Sequence, residues 1–184
     1  MKLFPEVAAF LSVISLCAAL SGVRVTIDKA VEQRTYQKTH ANELLYANDL
    51  TGCVVFAANW PQKTDGTGLY KETLFVHVCQ ATLATPTLLG NFMTGEGIAN
   101  DYTIHEWLEL LIQGTGGSQP EAAYIVSKVG SDAGYNQNLI DYLRDNFAIT
   151  IPTTHMLTYV GKKDATVVQD PWDNPAVTVP VPGG

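Results

Sequence analysis

The chain predicts an α+β domain, a largely antiparallel β-sheet or sandwich flanked by helices. Three observations carry this reading. Two β-branched, apolar runs, one from Leu50 to Asn59 and the other in "YKETLFVHVCQATLA", flank the turn-rich loop "PQKTDGTG" and read as an antiparallel hairpin. Two later stretches, "DYTIHEWLELLIQG" and "NQNLIDYLRDNF", have helical spacing. Strands and helices do not alternate strictly, which speaks against a doubly wound parallel sheet.

Taken in order, the first twenty-two residues, "MKLFPEVAAFLSVISLCAALSG", form a candidate secretory signal peptide. One basic residue, Lys2, precedes an uncharged apolar run from Val7 to Leu20, and small residues follow. An N-terminal core helix beginning near Pro5 is the alternative, and the run is short for a membrane span. Residues 23–170 read as one domain, and the chain is exported if the first segment is a signal, cytoplasmic if not.

"VRVTI" suits a short strand by alternation, and the polar stretch after it suits a helix or an extended arm. After the hairpin comes a glycine-containing loop, then a helix capped by Asp101 or Thr103. Its apolar residues Ile104, Trp107, Leu108, Leu111 and Ile112 share a face, and Gly114 ends it. "AAYIVSKVG" reads as a buried strand. The second helix turns Leu139, Ile140 and Leu143 inward. "AITIPTTHMLTYVG" and "DATVVQD" read as strands separated by a Gly-Lys-Lys turn. Residues 171–184 hold four of the nine prolines (171, 175, 180, 182) and read as an extended arm or disordered end.

Composition narrows the function classes. A formal charge of −7, with 11 basic against 18 acidic residues and no basic cluster, argues against nucleic acid as a partner. The three cysteines, Cys17, Cys53 and Cys79, make no CxxC pair and no zinc spacing with the histidines, so no metal is proposed. "QGTGGSQP" lacks the Lys-Ser/Thr of a phosphate loop, and no cofactor is called for. "HEWLE" lacks the second histidine of a zinc protease, so His105, Glu106 and Glu109 read as a solvated helix face. His155 reads as a strand residue.

What remains is a thiol and an imidazole. Cys53 sits where "LTG" hands over to an apolar strand, and His77 lies late in the partner strand. Cysteine attacks as its thiolate, and an adjacent histidine activates it by taking the proton. The residues are 24 apart (77 − 53), so they meet only if the chain folds back, which the hairpin does. Gly52 leaves room for a carbonyl to approach, and the backbone N–H groups of Gly52 and Cys53 are candidate oxyanion donors. The structural alternative is a buried, hydrogen-bonded His77 with Cys53 and Cys79 bridged by a disulfide, in a secreted module without catalysis.

"LTGCVVFAAN", followed by a loop and "LFVHV", resembles the SGC…H element of the cysteine-dependent glutamine deamidases. That superfamily includes the chemoreceptor glutamine deamidases (CheD-type) and the catalytic domains of cytotoxic necrotizing factor and Burkholderia lethal factor. "DYTIHEWLELLIQGTG", "AAYIVSKVGSDAG", "YNQNLIDYLRDNFAITI" and "YVGKKDATVV" are similar, in order, to the later helix, strand, Asn-bearing helix and closing hairpin of that superfamily. The similarity runs from about Leu50 to Gln169. It implies a compact α+β fold with Cys53 as nucleophile and His77 as general base, deamidating glutamine in a protein substrate without a cofactor, in the manner of a secreted effector or toxin. Where the chemoreceptor enzymes carry a threonine six residues before the cysteine, this chain has Ala47, so Thr51 and Asn48 are the candidates to orient His77.

Overall fold

The computed structural model describes residues 25–27, 33–41, 43–47, 50–95, 97, 101–161 and 165–180. The candidate signal segment, Cys17 and Asn48 lie outside them.

Among the described residues, ten strands form two sheets and three α-helices accompany them. The larger sheet runs in the order β2 (Gln33–His40), β6 (Gly68–Cys79), β4 (Cys53–Asn59), β7 (Ala122–Lys128), β8 (Met156–Tyr159), and β5 (Lys63–Asp65) adds to β6. The smaller sheet runs β1 (Val25–Ile27), β3 (Leu45–Ala47), β9 (Val167–Gln169), β10 (Val177–Thr178). Pairing is antiparallel except at β1–β3 and β7–β8, so the class is mixed, with antiparallel-dominated sheets and few helices.

β4 is central and buried on both sides, which is why "CVVFAAN" reads as a continuous apolar run rather than an alternation. Its period of two divides the core. Val54, Phe56 and Ala58, with Leu74, Val76 and Val78 of β6, face the helices α1 (Pro86–Met93), α2 (Ile104–Gly114) and α3 (Ala133–Phe147). Val55 and Ala57, with Phe75, Tyr124 and Val126, face the smaller sheet through Leu45, Ala47, Val167 and Val177. The result is three layers, helices on sheet on sheet.

The hairpin stands as the sequence predicts, with one addition: the long loop contains β5, which extends the pairing of β6. α2 is capped by Thr103 rather than Asp101. The Thr103 hydroxyl accepts from the Glu106 N–H, and the Glu106 carboxylate accepts from the Thr103 N–H in return. Asp101 instead adopts a positive φ of 62° ahead of the helix.

Four readings change. The polar stretch after β1 contains an edge strand, β2, held to β6 through its backbone. The segment after Cys79 is no strand: it turns through a 3-10 helix at Gln80–Leu83 into α1, whose N-cap Thr85 and N1 Pro86 fix the start. The two strands expected to form a closing hairpin do not pair; β8 lies parallel to β7, while β9 joins the smaller sheet. The described part of the proline-rich tail packs down. β10 pairs with β9, and the Trp172 indole N–H donates to the Thr39 carbonyl at 3.0 Å.

Among the described residues, no helix is long and apolar enough to cross a membrane.

Candidate functional site

The register of β4 on β6 sets the site. Cys53 stands directly opposite Cys79, and Val55 opposite His77. Directly paired residues project to the same side of a sheet, so Cys53, His77 and Cys79 all face the smaller sheet. Cys53 and His77 are therefore diagonal neighbours, two positions offset. Such pairs lie about 7–8 Å apart between backbones, and somewhat less between Cβ atoms, within reach of long side chains. The two residues that the sequence couples do share one face, but the thiol directly across from Cys53 is the one the sequence reading made its rival.

That rival is unbridged. The sulfurs of Cys53 and Cys79 are 3.9 Å apart, a contact between thiols and not the roughly 2.05 Å bond of a disulfide. Both residues are partly exposed at the strand ends, whereas His77 is only 2 % exposed.

The strand mouth is held by Tyr159 and by the close approach at Gly161. Tyr159, at the end of β8, donates its hydroxyl to the Cys53 carbonyl at 2.6 Å. Burial, and then the charge Cys53 can carry, push the Tyr159 phenol well above its ordinary range, so it acts as a fixed neutral donor. Gly161 follows two residues later. A Cβ there would fall 2.6 Å from the Lys128 Cε and 2.9 Å from the Thr51 carbonyl oxygen, so only glycine lets these groups close together. At Gly52, by contrast, a Cβ would meet nothing within 4 Å. Gly52 itself therefore borders open space at the start of β4.

Thr51 is exposed at this mouth, while the imidazole it is expected to orient is buried. The sequence reading overlooks Tyr159. It lies 106 residues from Cys53, and no local pattern marks it. Cys79 is expected from the sequence as the disulfide partner of Cys53, and the alternation of "HVC" puts it on the same face as His77.

Two other histidines have partners of their own away from this mouth. His105 Nδ1 lies 2.8 Å from the Tyr142 hydroxyl, with Glu109 3.6 Å from its other nitrogen. His155 is no strand residue: it ends a 3-10 turn (Thr153–His155) just ahead of β8, stacks on Tyr124 at 4.1 Å, and has its Nδ1 3.1 Å from the Ala123 carbonyl oxygen. Among the described residues no group of three His, Cys, Asp or Glu side chains could hold a metal ion. The far end of the same face carries a cavity of about 350 Å³ bordered by Asn59, Lys71, Tyr124, His155 and Trp172.

Compared with protein-family models, with curated proteins and with solved structures, the chain matches none.

Proposed function

We propose that this chain is a Cys–His amidohydrolase that deamidates glutamine side chains of a protein substrate, on a fold akin to the CheD-type and cytotoxic necrotizing factor catalytic domains. The observation that carries the reading is the diagonal placement of Cys53 and His77 on one face, at a strand mouth with open space beside Gly52. His77 takes the Cys53 proton, and the thiolate adds to the carboxamide carbon. The oxyanion is received by the backbone N–H groups of Gly52 and Cys53. His77 returns the proton to the leaving nitrogen, ammonia departs, and a thioester remains. Water, deprotonated by His77, cleaves the thioester to glutamate and regenerates the thiol. An amine in place of water would give transglutamination at the same sulfur. If residues 1–22 direct export, the substrate is met outside the producing cell.

The test is ammonia release together with Gln-to-Glu conversion in protein substrates, read by peptide mass spectrometry. Cys53→Ser should bring both to background, and His77→Ala should lower the rate by about 10²–10⁴-fold, with circular dichroism unchanged. Full activity in either folded variant overturns the assignment.

The burial of His77 favours one other reading, a non-catalytic binding module that keeps the imidazole as a core residue. Under that reading wild type, Cys53→Ser and His77→Ala are equally inert toward glutamine.

A further inference from the structure

We propose that Cys53 and Cys79 form a dithiol modification site, which a hydroperoxide closes to a cross-strand disulfide and a reducing thiol reopens. Closure rests on geometry alone; its effect on activity rests on the glutamine reading above.

The two residues are exact register partners on antiparallel strands. Directly opposed residues have Cα atoms about 4.5–5.5 Å apart, inside the roughly 4.4–6.8 Å range that disulfides span. Their sulfurs already touch at 3.9 Å, so bond formation needs a side-chain movement of about 2 Å and no shift of either strand. The backbone at that point is fixed: Val54 and Val78, the next pair, are buried against the helices, and Tyr159 holds the Cys53 carbonyl. Both thiols are partly exposed, which gives a small oxidant access to them.

The chemistry balances with hydrogen peroxide as the named oxidant. The Cys53 thiolate attacks one peroxide oxygen and the O–O bond breaks. Cys53 becomes a sulfenic acid, and the departing hydroxide takes a proton to leave as water. The Cys79 thiolate then attacks the Cys53 sulfur, the S–O bond breaks, and a second hydroxide leaves and is protonated. Two thiols are oxidised by two electrons, and one peroxide becomes two waters. In the closed form Cys53 has no thiolate, so it cannot add to a carboxamide.

The full chain is treated with an equimolar amount of hydrogen peroxide, quenched by alkylation and digested without reductant. The expected product is a Cys53–Cys79 cross-linked peptide, two hydrogens lighter than the reduced pair, which dithiothreitol restores. Ammonia release should fall to the level of Cys53→Ser and return with the reductant. In Cys79→Ser, peroxide should leave a Cys53 sulfenic acid that dimedone traps. Sulfinic acid on Cys53 with Cys79 still open to alkylation, a bridge to Cys17, or a cross-link that dithiothreitol does not open would each overturn the proposal. The mass readout is independent of catalysis. Reversible closure in a chain that never releases ammonia leaves the dithiol site standing and removes the glutamine reading.

Discussion

The two faces of the six-stranded sheet differ sharply in what they bury. Toward the helices, β4 and β6 present Val54, Phe56, Ala58, Leu74, Val76 and Val78, all apolar. The buried polar group of β7 on that side, Ser127, has its hydroxyl accepting from Asn136 of α3 at 2.9 Å. Toward the smaller sheet the same strands present His77, Thr73 and Asn59 beside Val55, Ala57 and Phe75, and Gln169 comes down from β9. Thr39 Oγ1, Asn59 Oδ1 and both amide atoms of Gln169 on this side have no hydrogen-bond partner among the described residues, against Trp60 Nε1 and Asn136 Oδ1 on the helix side. Burying such groups costs free energy, so a chain optimised only for stability would not choose them. One face holds the fold together, and the other carries the polar side chains from which a site can be built.

That contrast can be broken most directly at Phe56, which is 1 % exposed in the helix-side core. Phe56→Ala should cost about 3–5 kcal/mol in urea unfolding, because the cavity cannot collapse between two rigid layers. A loss of less than about 1 kcal/mol would mean that the helix side is not where stability resides.

A change of opposite sign is expected across the sheet. Gln169→Met keeps the side-chain length and removes two buried amide atoms that have no partner among the described residues. It should stabilise the protein by about 1–2 kcal/mol in the same assay. Destabilisation would show that the polar layer is satisfied and that the two faces differ little in what they cost to bury.

The smallest effect concerns the surface of the helix layer. The Glu106 carboxyl is held below its ordinary range first by the Thr103 N–H, then by the Thr103 side chain. A carboxyl depressed on folding stabilises the native state above its unfolded pKa, about 4.3, and loses that contribution as pH falls through the lowered value. Melting temperatures of wild type and Glu106→Gln should therefore differ slightly at neutral pH and converge in acid. A gap that persists at the acid end would detach the capping box from the carboxylate charge.

How much of this was legible in the chain follows from range. The β4–β6 hairpin, the capped α2, the strand β7 and the helix α3 are local, and period or cap residues announce each one. β2 escaped because an edge strand pairs through its backbone and leaves a polar sequence. α1 carried its Thr85-Pro86 start signal, but the apolar run before it drew the strand reading past Cys79. The partners of β8 and β9 are set by contacts far along the chain, and no spacing within "YVGKKDATVV" could reveal that they belong to different sheets. At the site, alternation alone put His77 and Cys79 on one face, and folding back brought Cys53 near them; that Cys53 shares their face depends on the register. The pairing of Cys53 with Cys79 needed the register, which no sequence period supplies.

A further consequence lies in the alternation along β4. Chain length between Val54 and Phe56 admits no variation: one inserted amino acid would swing Cys53 through to the helices and leave the imidazole behind. Residues added at the Gly66–Thr67 tip disturb neither. Across descendants of this chain, gain and loss of residues should gather at that tip and spare the seven positions Cys53–Asn59.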